Sequence, residues 1–201
     1  MKKVTLSLAV LAMAGVASAG LLVPNGDFAT PAGANWAFND NSVNITYPTS
    51  GGNGGGFGQM EEIGGGWGGV LVSEINPTQG LDLAPLGLTA GVESTYTIDM
   101  LNVSETAFSA GMKIEGWSGG ALDGNSGDIL FSVASGWNTY TFDYTLSATA
   151  TSVKFVPLMV VQPVGSIVGF DNVGVVPEPA TLGLLSIAGG AMLFMRRRMR
   201  I

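Results

Sequence analysis

The chain has 201 residues, 46% of them hydrophobic, with 31 glycines and neither cysteine nor histidine. A disulfide framework, a zinc site of the usual kind and Ser-His-Asp or Cys-His nucleophiles are therefore excluded, while carboxylate chemistry survives as a catalytic option. Six of the eight basic residues lie at the two ends, so residues 20–175 set Lys113 and Lys154 against fourteen acids, a net charge near −12 that argues against nucleic acid or anionic lipid as a partner.

Lys2 and Lys3 precede an apolar stretch over residues 4–16, and Ala17-Ser18-Ala19 gives an A-x-A cleavage site before Gly20. Residues 1–19 read as a signal peptide for signal peptidase, with the mature chain starting at Gly20. The remaining 20–175 is one domain's worth of chain, enough to bury a sizeable core.

Eleven of the twenty residues 50–69 are glycine. Glycine at this density costs backbone entropy on folding and predicts a long irregular loop. Its apolar residues either anchor a surface connection onto the sheet, which we favour, or offer Trp67 and Phe57 as stacking platforms for sugar rings. No Lys-Ser or Lys-Thr follows, so it is not a phosphate-binding loop of the Walker type.

The rest of the body has the period of strands. Over residues 138–146, Tyr140, Phe142, Tyr144 and Leu146 share one face while Thr139, Thr141, Asp143 and Thr145 share the other. Residues 95–100 repeat the pattern until it slips at Leu101, a candidate bulge. Further strands are expected over 69–74, 110–115, 128–133, 152–156 and 166–175, separated by turn signals such as Asn76-Pro77, Ala90-Gly91 and Gln162-Pro163. Many short strands and no strong helical stretch predict an all-β, antiparallel sandwich or jelly roll.

Trp117 falls on the parity of Lys113 and Glu115, hence on a polar face, and is the best candidate for stacking on a glycan; Trp67 is the second. Trp137 reads as a core or edge plug and Trp36 as packing near the chain start. Asp123 to Asp128 reads as a solvated hairpin turn. Glu61-Glu62 is the only adjacent acidic pair in the body, but nothing in the spacing names a nucleophile, so no catalytic role is expected.

The tail carries Pro177-Glu178-Pro179, an apolar run and then Arg196, Arg197, Arg198 and Arg200. Two prolines hold this turn extended and readable. The apolar run over 180–195 would be only about 24 Å long as a helix, short for a span, and the arginines belong on the cytoplasmic side. An ordinary single-pass anchor is the alternative. The three parts in this order resemble the PEP-CTERM sorting signal of Gram-negative bacteria, over residues 176–201. That resemblance implies export, transient holding in the inner membrane and cleavage by an exosortase, with delivery to the cell surface or extracellular matrix.

In the body, Asn25-Gly26-Asp27-Phe28, Trp36, Leu88-Thr89-Ala90-Gly91, Gly136-Trp137-Asn138 and Val168-Gly169-Phe170-Asp171-Asn172-Val173 follow one another in an order that resembles a carbohydrate-binding-module jelly roll of the galactose-binding-like type. The resemblance implies extracellular polysaccharide as partner and a structural Ca²⁺ held by Asp27 and Asp171, although Ala29 stands where that family has glutamate. The competing expectation is a structural component of the extracellular polymeric matrix or envelope without a specific glycan site.

Overall fold

The computed structural model describes residues 21–30, 35–39, 42–64, 67–104 and 108–176. Residues 1–19, expected to be a signal peptide, and 177–201, which hold all but Val176 of the expected sorting segment with Pro177, Glu178, Pro179 and the four arginines, lie outside the described residues. Thirteen strands follow one another in the described chain: β1 (Leu21–Leu22), β2 (Trp36–Asn39), β3 (Val43–Thr46), β4 (Gly58–Glu62), β5 (Gly68–Ser73), β6 (Leu81–Asp82), β7 (Glu93–Asn102), β8 (Ser109–Ser118), β9 (Ala121–Asn125), β10 (Ile129–Ser132), β11 (Asn138–Thr145), β12 (Ser152–Val160) and β13 (Ile167–Val176). They form two antiparallel sheets. One has the order β11-β7-β13-β4-β3, with β1 beside the C-terminal half of β13; the other has the order β10-β8-β12-β5-β2, with β6 on β12 and β9 on β8.

Period two decides what each sheet buries. Tyr96, Ile98 and Met100 of β7 and Val168 and Phe170 of β13 face Ala110, Met112 and Ile114 of β8 and Val153, Phe155 and Met159 of β12, all within one core cluster. The Tyr96 ring lies between Phe142 and Phe155, at 5.7 Å from each. Burying a side chain of this size contributes about 1.5–3 kcal/mol, so these residues dominate the drive to close the sandwich.

The expected all-β sandwich is present, and every expected strand is found with its ends displaced by a few residues. Three local expectations are corrected. Residues 50–69 are not one loop, because Gly58–Glu62 pairs with β13 and Gly68 already opens β5; glycines there fit beneath neighbours that a side chain would displace, as at Gly68, where φ is +111° and a Cβ would sit 1.8 Å from the Met159 carbonyl oxygen. Asp123 belongs to strand β9 rather than to a turn, the reversal being made by Gly119 and Gly120 at φ of 58° and 84°. Leu101 marks no bulge: it pairs in regular register with Gly169.

The bulge falls instead in β13, between Asp171 and Gly174. Asn172 takes φ of +46°, which asparagine tolerates better than most residues. The extra residue resets the alternation, so that Asp171 points outward while Val173 and Val175 return to the core.

Candidate functional site

The two sheets differ in what covers their outer faces. Over the six-stranded sheet the segment 50–57 folds back across β13 and β7. Phe57 and Trp137 meet edge-on at 5.5 Å above Gly169, where an added Cβ would come within 3.0 Å of both rings. The Trp137 indole N–H donates to the Gly51 carbonyl at 2.9 Å. Trp137 is thus the edge plug expected of it, and residues 50–57 form a connection anchored by the tucked Phe57.

Beneath that segment lie two buried carboxylates, Asp171 and Asp99, directly opposite one another on β13 and β7. Asp99 accepts from Thr139 Oγ1 at 2.6 Å, Asn53 Nδ2 at 2.7 Å and Asn172 Nδ2 at 2.8 Å. Asp171 accepts the backbone N–H of Asn53 at 2.6 Å and of Asn172 at 2.8 Å. Burial pushes the Asp171 carboxyl up to about 6; the two N–H groups pull the other way, and the Asp99 and Asp27 charges add to the rise. Asp27 therefore acts on Asp171 electrostatically, while its own Oδ1 accepts the Ala29 N–H at 3.2 Å. Among the described residues no three carboxylates come together as a metal-binding group. Asp27 and Asp171 would supply only two carboxylates, so a Ca²⁺ there would depend on main-chain oxygens and water for the rest of its six to eight ligands.

The outer face of the seven-stranded sheet carries the other candidates. Trp117 lies on it as its parity with Lys113 and Glu115 requires, at the end of β8 paired to Ser152. Its indole N–H donates to Glu115 Oε2 at 3.2 Å, and Lys113 Nζ lies 2.7 Å from Glu115 Oε1. The ammonium of Lys154, the next strand's outward residue, stands 4.0 Å from the centre of the Trp117 ring. Lys154 is only 3% exposed and also bonds Glu74 Oε2 at 2.5 Å and the Pro77 carbonyl oxygen at 2.8 Å. The tryptophan is therefore fixed in place by a charged lattice, with a cation over the ring. Both body lysines are committed to ion pairs on this face.

Trp67 is 44% exposed but belongs to another place. It precedes Gly68, which pairs with Val160, whereas Trp117 pairs with Ser152. Gly68 and Trp117 face β12 residues eight apart, which at about 3.3 Å per residue is roughly 26 Å, and Trp67 lies one residue further out. The structure does not join the two tryptophans into one platform. Trp36 opens β2 and stacks on Phe28 at 5.1 Å, with its indole N–H donating to the Asn25 carbonyl, so it packs near the chain start as expected.

Sequence reasoning missed Asn53, Asp99, Thr139 and the Lys154–Glu74 pair. A lone asparagine inside a glycine run and a lysine at an apolar strand position were the available signals; their partners lie 46 and 80 residues away in sequence, which no local pattern reveals.

A cavity of about 680 Å³ adjoins this face, where residues 74–77 meet β2, β6 and the short 3-10 turn Ala84–Leu86. Glu74 and Pro77, the partners of Lys154, form part of its wall.

No protein-family model matches the sequence, and no curated protein is similar to it. Solved structures do share its shape. A family 4 carbohydrate-binding module superimposes with a TM-score of 0.52 at 17% identity, covering 78% of this chain and 99% of the module. The C-terminal family 22 carbohydrate-binding module of a Clostridium thermocellum xylanase gives 0.52 at 11% identity over 81% of this chain and 98% of that one. The enzymatically active domain of tailspike protein 4 from bacteriophage CBA120 gives 0.58 at 17% identity over 76% of this chain, which spans only 21% of the tailspike chain. At these identities the likeness shows the fold: the chain is an antiparallel jelly roll of the kind found in carbohydrate-binding modules.

Proposed function

We propose that this protein is an exported cell-surface or matrix component whose seven-stranded sheet binds polysaccharide at Trp117, without catalysing a reaction. The observation that carries the reading is Trp117 itself, held on the outer face of a jelly roll by Glu115 and Lys154. Sugar rings present C–H faces that pack on aromatic planes, and a ring locked by second contacts loses little entropy on binding. The location rests on the ends of the sequence, with processing by signal peptidase and exosortase and transient anchoring in the inner membrane. Leu21 pairs with Val175, so both ends of the sandwich emerge together, an arrangement compatible with a C-terminal tether. Calcium at Asp27 and Asp171 belongs to the same proposal, because a cation there would compensate the burial, and the smaller repulsion from Asp99 and Asp27, that raise the Asp171 carboxyl.

One observation favours the competing reading of a matrix-structural protein without a glycan site: the ammonium of Lys154 already stands over the Trp117 ring. Among the described residues the core cluster runs from Val23 to Val175, which makes residues 20–176 the domain to test. Affinity electrophoresis of that domain against neutral and acidic polysaccharides, with calcium and with EDTA, separates the two. Retardation by a polymer that Trp117→Ala abolishes is the expected result; unchanged mobility across the panel would establish the structural reading instead.

A further inference from the structure

The cavity beside the Trp117 face has a charge pattern of its own. Its volume of about 680 Å³ lies within the range of small-ligand sites, about 300–1,000 Å³. Trp36, Pro77 and Pro85 give it apolar walls, and Glu74 and Asp82 face it with carboxylates; among the described residues no lysine or arginine lines it. Glu74 is neutralised from behind by Lys154, whose side chain is 4% exposed. Asp82 is exposed and makes neither an ion pair nor a side-chain hydrogen bond among the described residues.

We propose that this cavity is a second saccharide subsite, one that takes an amine-bearing sugar ring with Asp82 as the acceptor for its ammonium group. The proposal rests on the reading of the adjoining Trp117 face as a polysaccharide-binding surface. Proline and tryptophan walls suit the C–H faces of a pyranose, as they suit any sugar. The carboxylate adds the discrimination: an ammonium group gains an ion pair, a neutral sugar gains nothing, and a uronic acid is repelled. The physical link between platform and cavity is Lys154, which bonds the Glu74 and Pro77 wall on one side and covers the Trp117 ring on the other.

The test uses residues 20–176 with three probes: a glucosamine hexamer, an N-acetylglucosamine hexamer and xylohexaose. Calorimetry measures affinity, and the indole N–H signals in NMR report position, that of Trp36 for the cavity and that of Trp117 for the sheet face. The glucosamine hexamer should bind up to about fivefold more tightly than its acetylated counterpart, as an exposed ion pair allows, and should move the Trp36 signal. That advantage should vanish in high salt and in Asp82→Asn, a change at an unpaired surface side chain that leaves the fold intact, while the Trp117 signal still responds. Equal affinity for the two hexamers, or an advantage that survives Asp82→Asn, would overturn the subsite and leave the Trp117 face standing. Silence of both tryptophans toward all three probes would overturn the subsite and the polysaccharide reading together.

Discussion

Lys154→Met tests whether the ion pair at the heart of the Trp117 face governs stability. Lys154 is 3% exposed, and its Nζ contacts Glu74 Oε2, the Pro77 carbonyl and the Trp117 ring at once. Removing it strands a Glu74 carboxylate whose side chain is 12% exposed. An abandoned buried charge costs about 3–5 kcal/mol, and the lost cation–π contact adds about 0.5–2 kcal/mol. For a domain of this size each kcal/mol shifts Tm by about 2–4 °C, so the single variant should melt at least about 6 °C lower. The cost belongs to the unpaired charge, so the double variant Lys154→Met/Glu74→Gln, which leaves a neutral amide in place of the carboxylate, should recover most of it. Urea denaturation of wild type, both single variants and the double variant completes the cycle, with a coupling of about 2–3 kcal/mol expected at the upper end for contacting residues. A loss below about 1 kcal/mol in Lys154→Met would mean that the pair behaves like a surface salt bridge, and the structural role assigned to Lys154 would be wrong.

Three further outcomes are expected. The Asp171 carboxyl titrates near 6 in the fold against 3.8 unfolded, so its contribution to stability is present in full below pH 3.8 and is lost as pH rises through about 6; Asp171→Asn should flatten that part of the stability–pH curve, and an unchanged slope would refute the assignment. Calcium binding at this carboxylate would favour its ionised form and act in the opposite direction, raising Tm above pH 6 in wild type but not in Asp171→Asn. Asn53→Ala removes one of the three donors to Asp99 while keeping the backbone N–H that serves Asp171, so limited proteolysis should cut within residues 50–56 faster than in wild type, with loss of at most about 1.5–3 kcal/mol for one hydrogen bond to a charged group, since Asn172 still serves the same oxygen. Gly68→Ala meets both a φ of +111° and a carbonyl 1.8 Å from the new Cβ; it should cost well over 1 kcal/mol, and a variant as stable as wild type would show that β5 sits elsewhere.

Much of the fold was legible from local pattern. The alternation in β11 and β7 fixed which residues face the core, because a side-chain period of two has only one register that buries Tyr96, Ile98, Tyr140 and Phe142 together. The same parity put Trp117 on an outer face. Short pairings such as β4 and β6 were not legible, since β4 is five residues flanked by glycine runs and buries the charged Glu62, which breaks the apolar pattern, and two-residue β6 carries no alternation to read. The bulge was assigned to Leu101 because its apolar character broke the pattern, whereas Leu101 faces Gly169, on the outer side that Phe57 and Trp137 cover. Once a distant segment covers a sheet face, apolar residues become favourable there.

What the sequence alone determined is what depends on composition and local order: no thiol or imidazole chemistry, an acidic body with two lysines, an all-β sandwich, and termini that read as export and sorting signals. Only the tertiary structure decided which acids meet. It set Asp99 beside Asp171 under Asn53, parted Trp67 from Trp117 along β12, and put both lysines into ion pairs on one face. The physical reason is range: periodicity is a property of neighbouring residues, while electrostatic and stacking partners are chosen by strand pairing between segments tens of residues apart, where register and bulges set every contact.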